Sequence, residues 1–247
     1  MAALSPTLHV GGAGAVTPAG LTAPQTCAAI RAALSAFEEE IVSEPFGASQ
    51  IVARVPAHWR LRRNPGEWLV NMAARALAEA LATGTATAAE TAVFLTPPES
   101  WRAHPAYEDL PPARFLAAVL DAAGGRFHPA SRALDGGAAA GIGLLPHIAA
   151  ATTRGGAAQA LVGGVDSLVN PVDLARLGRA GRLKGDDNAQ GLVPGEGAVF
   201  VRLTPVPEAA SRAEVLGVGS AQEQDPVASP HYSQGVAILA ALREAVA

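Results

Sequence analysis

The chain has 247 residues, of which 49% are hydrophobic and only 4% are aromatic. This length fits one large domain or two small ones, with a core built mainly from Ala, Val, Leu and Ile. The net charge of -4 gives no electrostatic reason to expect nucleic acid or an anionic membrane as a partner. No stretch of about 18 apolar residues lacks charges or Gly and Pro breaks, so no membrane span is expected.

Cysteine and histidine usage argues against metal and disulfide chemistry. The single Cys27 excludes an internal disulfide, and its apolar helical surroundings predict a buried small side chain. The six histidines are scattered without metal-ligand spacing, so neither a metal nor a cofactor is expected; they are His9, His58, His104, His128, His147 and His231. One cysteine and no secretory pattern favour a cytoplasmic protein.

Strand-like and helix-like patterns alternate along the chain. They predict, in order, a strand at 7–10, a helix from 23 to about 37, a strand at 51–55, a helix at 68–81, a strand at 92–95, a helix from 112 to about 123, a strand at 130–134, a helix at 139–153 and a strand at 159–162. Paired strands at 198–203 and 214–218 and a helix at 235–246 follow. This alternation predicts an α/β fold with a largely parallel sheet and helices on its faces.

Three segments occur in the same order as motifs of one known family. Residues 8–20 read LHVGGAGAVTPAG, residues 160–167 read ALVGGVDS, and residues 191–198 read GLVPGEGA. They resemble the G-x-G-x-V-T-P-x-G, A-L-A-G-G-x-[ED]-S and G-F-V-x-G-E-G-A segments of the β-ketoacyl synthases. The resemblance implies a thiolase-like layered αβα fold, with residues 1–205 as its N-terminal half. Residues 206–247 would then begin a truncated C-terminal half.

The same resemblance places the nucleophile position at Ala138. The family's A-C-[AS]-[ST]-G pattern reads Gly-Ala-Ala-Ala-Gly at 137–141, and residues 135–150 contain no Cys, Ser or Thr. Asp135, the nearest ionisable residue, is expected to cap the following helix. The H-G-T-G-T and N-x-x-x-G-H contexts of the family's catalytic histidines are also absent. We therefore expect no catalytic residue in this chain.

Three functions remain open from the sequence. The favoured one is a non-catalytic partner or scaffold, either like a chain-length factor or as an accessory protein of a secretion effector operon. The alternative is a ketosynthase-related acyltransferase of fatty acid or polyketide biosynthesis whose catalytic histidines lie in a missing half. The third is an acyl-carrier or lipid-binding module. The resemblance implies a homodimer, or a heterodimer with a ketosynthase-like subunit, formed through strand 130–134, and an acyl carrier protein as a further partner.

Other motifs favour structural roles. The glycines at 12 and 14 lack the third glycine of a dinucleotide fingerprint and predict a tight turn after the first strand. Glu196, between two glycines, is expected to be a buried, hydrogen-bonded support residue. Residues 182–187 lack the gating Phe that the family has there. Residues 60–63 and His231 are interpreted as solvated loops, and His147 as a partly exposed helix residue.

Overall fold

The computed structural model describes residues 3–41, 49–56, 64–99, 104–108, 110–134, 137, 139–186, 188–209, 211–224 and 233–246. The strands are β1 (Ala3–Val16), β2 (Phe37–Ile41), β3 (Ser49–Ala53), β4 (Thr91–Thr96), β5 (Arg132–Ala133), β6 (Gln159–Ser167), β7 (Glu196–Thr204) and β8 (Ala213–Gly217). The helices are α1 (Ala23–Arg31), α2 (Pro65–Ala82), α3 (Pro112–Ala122), α4 (Ala140–Gly143), α5 (Leu145–Thr153), α6 (Pro171–Arg179) and α7 (Val236–Val246).

Six strands form the central sheet in the order β5-β4-β6-β7-β1-β8. Strand β4 is parallel to both β5 and β6, whereas the pairs β6–β7, β7–β1 and β1–β8 are antiparallel. The prediction of a largely parallel sheet was therefore wrong, because three of the five strand pairs are antiparallel. The prediction that β7 and β8 pair with each other was also wrong, because β1 lies between them.

Helices cover both faces of this sheet, which confirms the αβα layering. Successive residues of β4 point to opposite faces, so Val93 and Leu95 pack with α2, whereas Ala92 and Phe94 pack with α5. All four side chains are fully buried. The two faces of the sheet therefore carry separate hydrophobic cores. Among the helices described, none is both long and apolar enough to cross a membrane.

Helix α2 lies directly against β1 because glycines remove the side chains between them. Asn64 caps the helix by accepting a hydrogen bond from the Glu67 backbone N–H at 2.8 Å. A Cβ added to Gly14 would lie 2.1 Å from the Ala76 carbonyl oxygen of α2. The glycine segment thus belongs to β1 itself. The predicted tight turn was misplaced, because the turn follows at residues 17–20.

Three local predictions also need correction. Helix α1 ends at Arg31, since Ala33 adopts a left-handed φ of 53°, and Phe37 already begins β2 of a separate two-stranded hairpin with β3. The helix predicted at 139–153 is divided at Leu144 into α4 and α5. Cys27 is exposed on α1 rather than buried.

The domain boundary at residue 205 stays a prediction.

Candidate functional site

A cleft of about 710 Å³ opens where strands β4 and β6 end and the segment after β5 begins helix α4. Its walls include Thr96 at the end of β4, Gly137 and Gly141 around the start of α4, and Val199 of β7. Carboxyl ends of adjacent parallel strands are where α/β proteins place binding groups. The cleft is therefore the candidate site.

The position at which the family resemblance expects a nucleophile, Ala138, is adjacent in the sequence to Gly137, a residue that lines this cleft. Ala138, together with Asp135 and Gly136, falls outside the described residues. Its described neighbour Gly137 lines the cleft with a φ of 72°, a backbone conformation that favours glycine. Among the described residues that line the cleft, none is a Cys, Ser or His. The described walls thus offer neither a thiolate nor an imidazole.

One face of the sheet gives the cleft an apolar floor. Val162, Val199 and Val201 project from adjacent strands β6 and β7, and Val10 and Val215 extend this surface across β1 and β8. Val199 remains 44% exposed. Large apolar side chains at the centre of a sheet are normally covered, so this face is suited to contact an aliphatic chain or another polypeptide.

Asp166 places a carboxylate at the strand-end side of the cleft. It pairs in register with Gly197, which leaves room beside it, and its Oδ1 accepts a hydrogen bond from the Ser167 N–H at 2.7 Å. Burial raises the pKa of Asp166 to about 6, the Ser167 bond opposes this, and the nearby carboxylates of Asp173 and Glu99 add to it. The exposed Glu99 lines the same cleft. This end of the site therefore has a negative potential that weakens below neutral pH.

Glu196 joins two of the motif segments behind the cleft. Its carboxylate accepts hydrogen bonds from the Val55 N–H at 3.0 Å, the Trp68 indole at 3.0 Å and the Ser167 hydroxyl at 2.9 Å. Its side chain is buried. The expected role as a buried support residue is confirmed, because this one carboxylate binds α2, β6 and the segment after β3.

A second buried polar cluster was missed from the sequence. The His104 Nε2 lies 3.1 Å from the Asn170 Oδ1 and 3.7 Å from an Asp173 oxygen, and its ring stacks on Tyr107 with centroids 4.3 Å apart. Burial, and then the nearby carboxylates, raise the pKa of Tyr107. In the sequence, the feature that could have indicated this cluster was the Asn-Pro pair at 170–171, which caps α6. His104 lies far from it in the sequence.

The other described histidines do not line the cleft. His9 lies 3.4 Å from Glu214, His128 accepts a hydrogen bond from the Ala130 N–H, and His147 is exposed on α5 as predicted. Residues 60–63, His58 and His231 fall outside the described residues. Across the described part of the chain, no three His, Cys, Asp or Glu side chains are grouped to hold a metal ion.

Solved structures share this fold at low sequence identity. A chain from the complex of a type II polyketide synthase acyl-carrier protein with its ketosynthase, bound to the hexaketide, matches with a TM-score of 0.68 and 18% identity over 89% of this chain and 64% of that one. The ishigamide ketosynthase/chain length factor matches with a TM-score of 0.61 and 20% identity, over 89% and 68%. A module 6 ketosynthase of the Bacillus subtilis 168 bacillaene synthase gives 0.62 and 16%, over 90% and 45%.

The fold is ketosynthase-like. This confirms the thiolase-like architecture that the three sequence motifs imply, although the identities lie below those that establish function. The chain spans between 45% and 68% of the lengths of these three solved proteins. No family model matches the sequence, and no curated protein matches it either.

Proposed function

We propose that this ketosynthase-like chain is a non-catalytic subunit, similar to a chain-length factor, that pairs with a ketosynthase-like subunit. The observation that carries the proposal is that Ala138 stands in the sequence where the resemblance places the nucleophile, and that the described walls of the cleft lined by Gly137 contain no thiol or imidazole. Acyl transfer through a covalent intermediate needs an activated nucleophile. A methyl group supplies no electron pair, so this subunit contributes surface and shape instead of chemistry.

The apolar floor of the cleft supports a role in association. A further apolar surface lies on α7, where Ile238, Leu239 and Leu242 are exposed and none of the described residues is buried. Together with the half-exposed Val199, they form surfaces that a further polypeptide would cover. In the proposed complex this polypeptide is the partner subunit. The partner would also receive the acyl group from an acyl carrier protein.

An acyltransferase with a second half remains the alternative function. The same exposed apolar surfaces favour it, because a C-terminal half containing catalytic histidines would cover them equally well. The two functions differ in where an acyl group attaches. A chain-length-factor-like subunit stays unmodified while its ketosynthase-like partner becomes acylated on its own cysteine.

The test is co-expression with a ketosynthase-like subunit from the same genome, followed by incubation with acyl thioesters and intact-mass measurement. We expect a stable heterodimer in which only the partner gains the acyl mass. An acyl adduct on this chain would contradict the proposal, as would failure of the two chains to co-purify.

The sheet edge provides a matched pair of variants for the association. Strand β5 is one of the two outer strands of the described sheet, and Arg132 is exposed on it. Arg132→Glu reverses a charge at this edge and should weaken the heterodimer by about tenfold or more. Arg154→Glu, an exposed site after α5, serves as the control and should leave it intact. Equal effects of both variants would exclude the β5 edge as the interface.

A further inference from the structure

A second apolar surface lies where α1 and the β2–β3 hairpin line a common cavity. It is remote from β5, which forms one end of the central sheet. It surrounds a cavity of about 540 Å³ whose walls include Ile30, Leu34 and Phe37. These three side chains are 68%, 66% and 62% exposed, and Ile51 of β3 is 44% exposed. We call these four residues the helix–hairpin surface. Single exposed apolar residues are ordinary, but three around one cavity, with Ile51 on the same face of the hairpin as Phe37, indicate a binding surface.

The backbone holds this surface in place. After α1, the left-handed Ala33 turns the chain, and the Leu34 N–H donates to the Ala29 carbonyl at 3.0 Å. The other face of the hairpin is anchored by the fully buried Val52, which packs with Val169 and Leu174. The four apolar side chains therefore cannot turn inward without breaking the contacts behind them.

Opposite charges flank the helix–hairpin surface. Arg31, the last residue of α1, is exposed on the helix side. Glu39 is exposed on the hairpin side, and it shares a face with Phe37 and Ile51 because it lies two residues after the first and opposite the second. Glu38 points to the other face, where it lies 3.8 Å from Arg54. The surface thus has a positive side and a negative side.

We propose that the helix–hairpin surface binds the same surface on a second copy of this chain. A two-fold axis that runs between the helix side and the hairpin side brings the α1 end of each copy against the hairpin of the other. Arg31 then faces Glu39 of the second copy twice, around an apolar centre formed by Ile30, Leu34 and Phe37. An acidic or a basic foreign partner would match only one side of this rim.

This interface is separate from the β5 edge. Strands β4, β6 and β7 lie between β5 and β1, and α1 follows β1 directly. Both surfaces can therefore be occupied in one assembly. If the proposed heterodimer forms through β5, self-association through the helix–hairpin surface gives a complex with two copies of each subunit.

Sedimentation equilibrium of the purified full chain tests the proposal with a charge-swap series. We expect the unmodified chain to self-associate, and Glu39→Arg and Arg31→Glu each to weaken association by about tenfold or more, because each places like charges opposite one another. The double variant restores opposite charges and should recover most of the affinity. Phe37→Ser should abolish association, and circular dichroism melts confirm that every variant is folded.

Three results would overturn the inference: a monomeric unmodified chain, a double variant as weak as the single ones, or association that Arg132→Glu abolishes and the charge swaps do not change. The last result would assign self-association to the β5 edge. The heterodimer is assayed separately, with the ketosynthase-like partner present. If self-association fails while the heterodimer forms, only this inference fails. If the heterodimer fails while self-association persists, only the proposed function fails.

Discussion

The Ser167 hydroxyl donates a hydrogen bond to Glu196 at 2.9 Å, and the same two residues are register partners across β6 and β7. Each belongs to one of the sequence motifs that resemble the ketosynthase family. The carboxylate also holds the Trp68 indole of α2 and the backbone N–H of Val55. One buried side chain thus fastens the sheet to the helix behind it, next to the candidate site.

Replacement of this carboxylate should destabilise the protein. We expect Glu196→Ala to lower the free energy of unfolding by about 1–3 kcal/mol, because buried donors lose their acceptor. Glu196→Gln should also destabilise, since one amide oxygen cannot serve three donors. Urea unfolding measures both effects, with Asp121→Ala at an exposed carboxylate of α3 as control. Equal midpoints for Glu196→Ala and the control would contradict the role of this residue.

The raised pKa of Asp166 predicts a pH-dependent stability. A carboxyl with a higher pKa in the folded than in the unfolded state stabilises the fold while it is protonated, and this contribution is lost as pH rises from 3.8 through about 6. Asp166→Asn keeps the Ser167 acceptor but does not ionise. Relative to the unmodified protein, we expect it to gain about 1–3 kcal/mol of stability between pH 4 and pH 8.

Denaturant unfolding of both proteins across this pH range gives the measurement. The comparison uses the difference between the two proteins, so titration of all other groups cancels to a first approximation. A difference that is constant with pH would show that Asp166 ionises normally in the folded chain.

We expect opposite effects from two glycine substitutions, one in the contact between β1 and α2 and one on the open helix α4. Gly14→Ala forces a Cβ against the Ala76 carbonyl and should cost about 1–3 kcal/mol or more through displaced backbone. Gly143→Ala on α4 meets no atom within 4 Å and should stabilise by about 0.5–1 kcal/mol. Thermal unfolding of the pair distinguishes them. A neutral Gly14→Ala would mean that α2 lies farther from β1.

The nucleophile position predicts that restoring a hydroxyl does not restore activity. Ala138→Ser should change stability little and add no thioester hydrolysis, because a serine without a general base is a poor nucleophile. Hydrolysis assays against the unmodified chain measure this, with catalytically competent ketosynthase as the positive control. Measurable turnover by the Ser variant would show that a base and an oxyanion hole are present, and would favour the acyltransferase alternative.

The sequence predicted most elements but not how the strands are arranged. Apolar periodicity placed α2 and α3 correctly because their buried stripes are long. Strand β1 was predicted short, since Gly11, Gly12 and Gly14 look like a turn when read locally. Glycine is needed there because Arg202 of β7 lies against Gly11, Thr83 at the end of α2 lies against Gly12, and Ala76 of α2 lies against Gly14. These neighbours approach only in the folded protein. Strand partners likewise depend on tertiary contacts that no local pattern contains.

The candidate site was predicted in part for the same reason. Glu196 was correctly expected to be buried, because its flanking glycines mark a close approach of backbone. The role of Asp166 emerged only from burial by its neighbours, and His104 from its contact with Asn170, far away in the sequence. Cys27 was placed wrongly, because an apolar helical pattern does not show which of its residues the rest of the chain covers.

The central position of β1 has a consequence for how the chain folds. His9 pairs with Thr204 on one side and with Glu214 on the other, so the strands that flank it are synthesised long after it. Until then both edges of a glycine-rich strand remain open, and pairing must close a long segment of chain into a loop. Formation of this strand's ladders is thus expected to limit the folding rate, and chaperone demand should peak just before β7 leaves the ribosome.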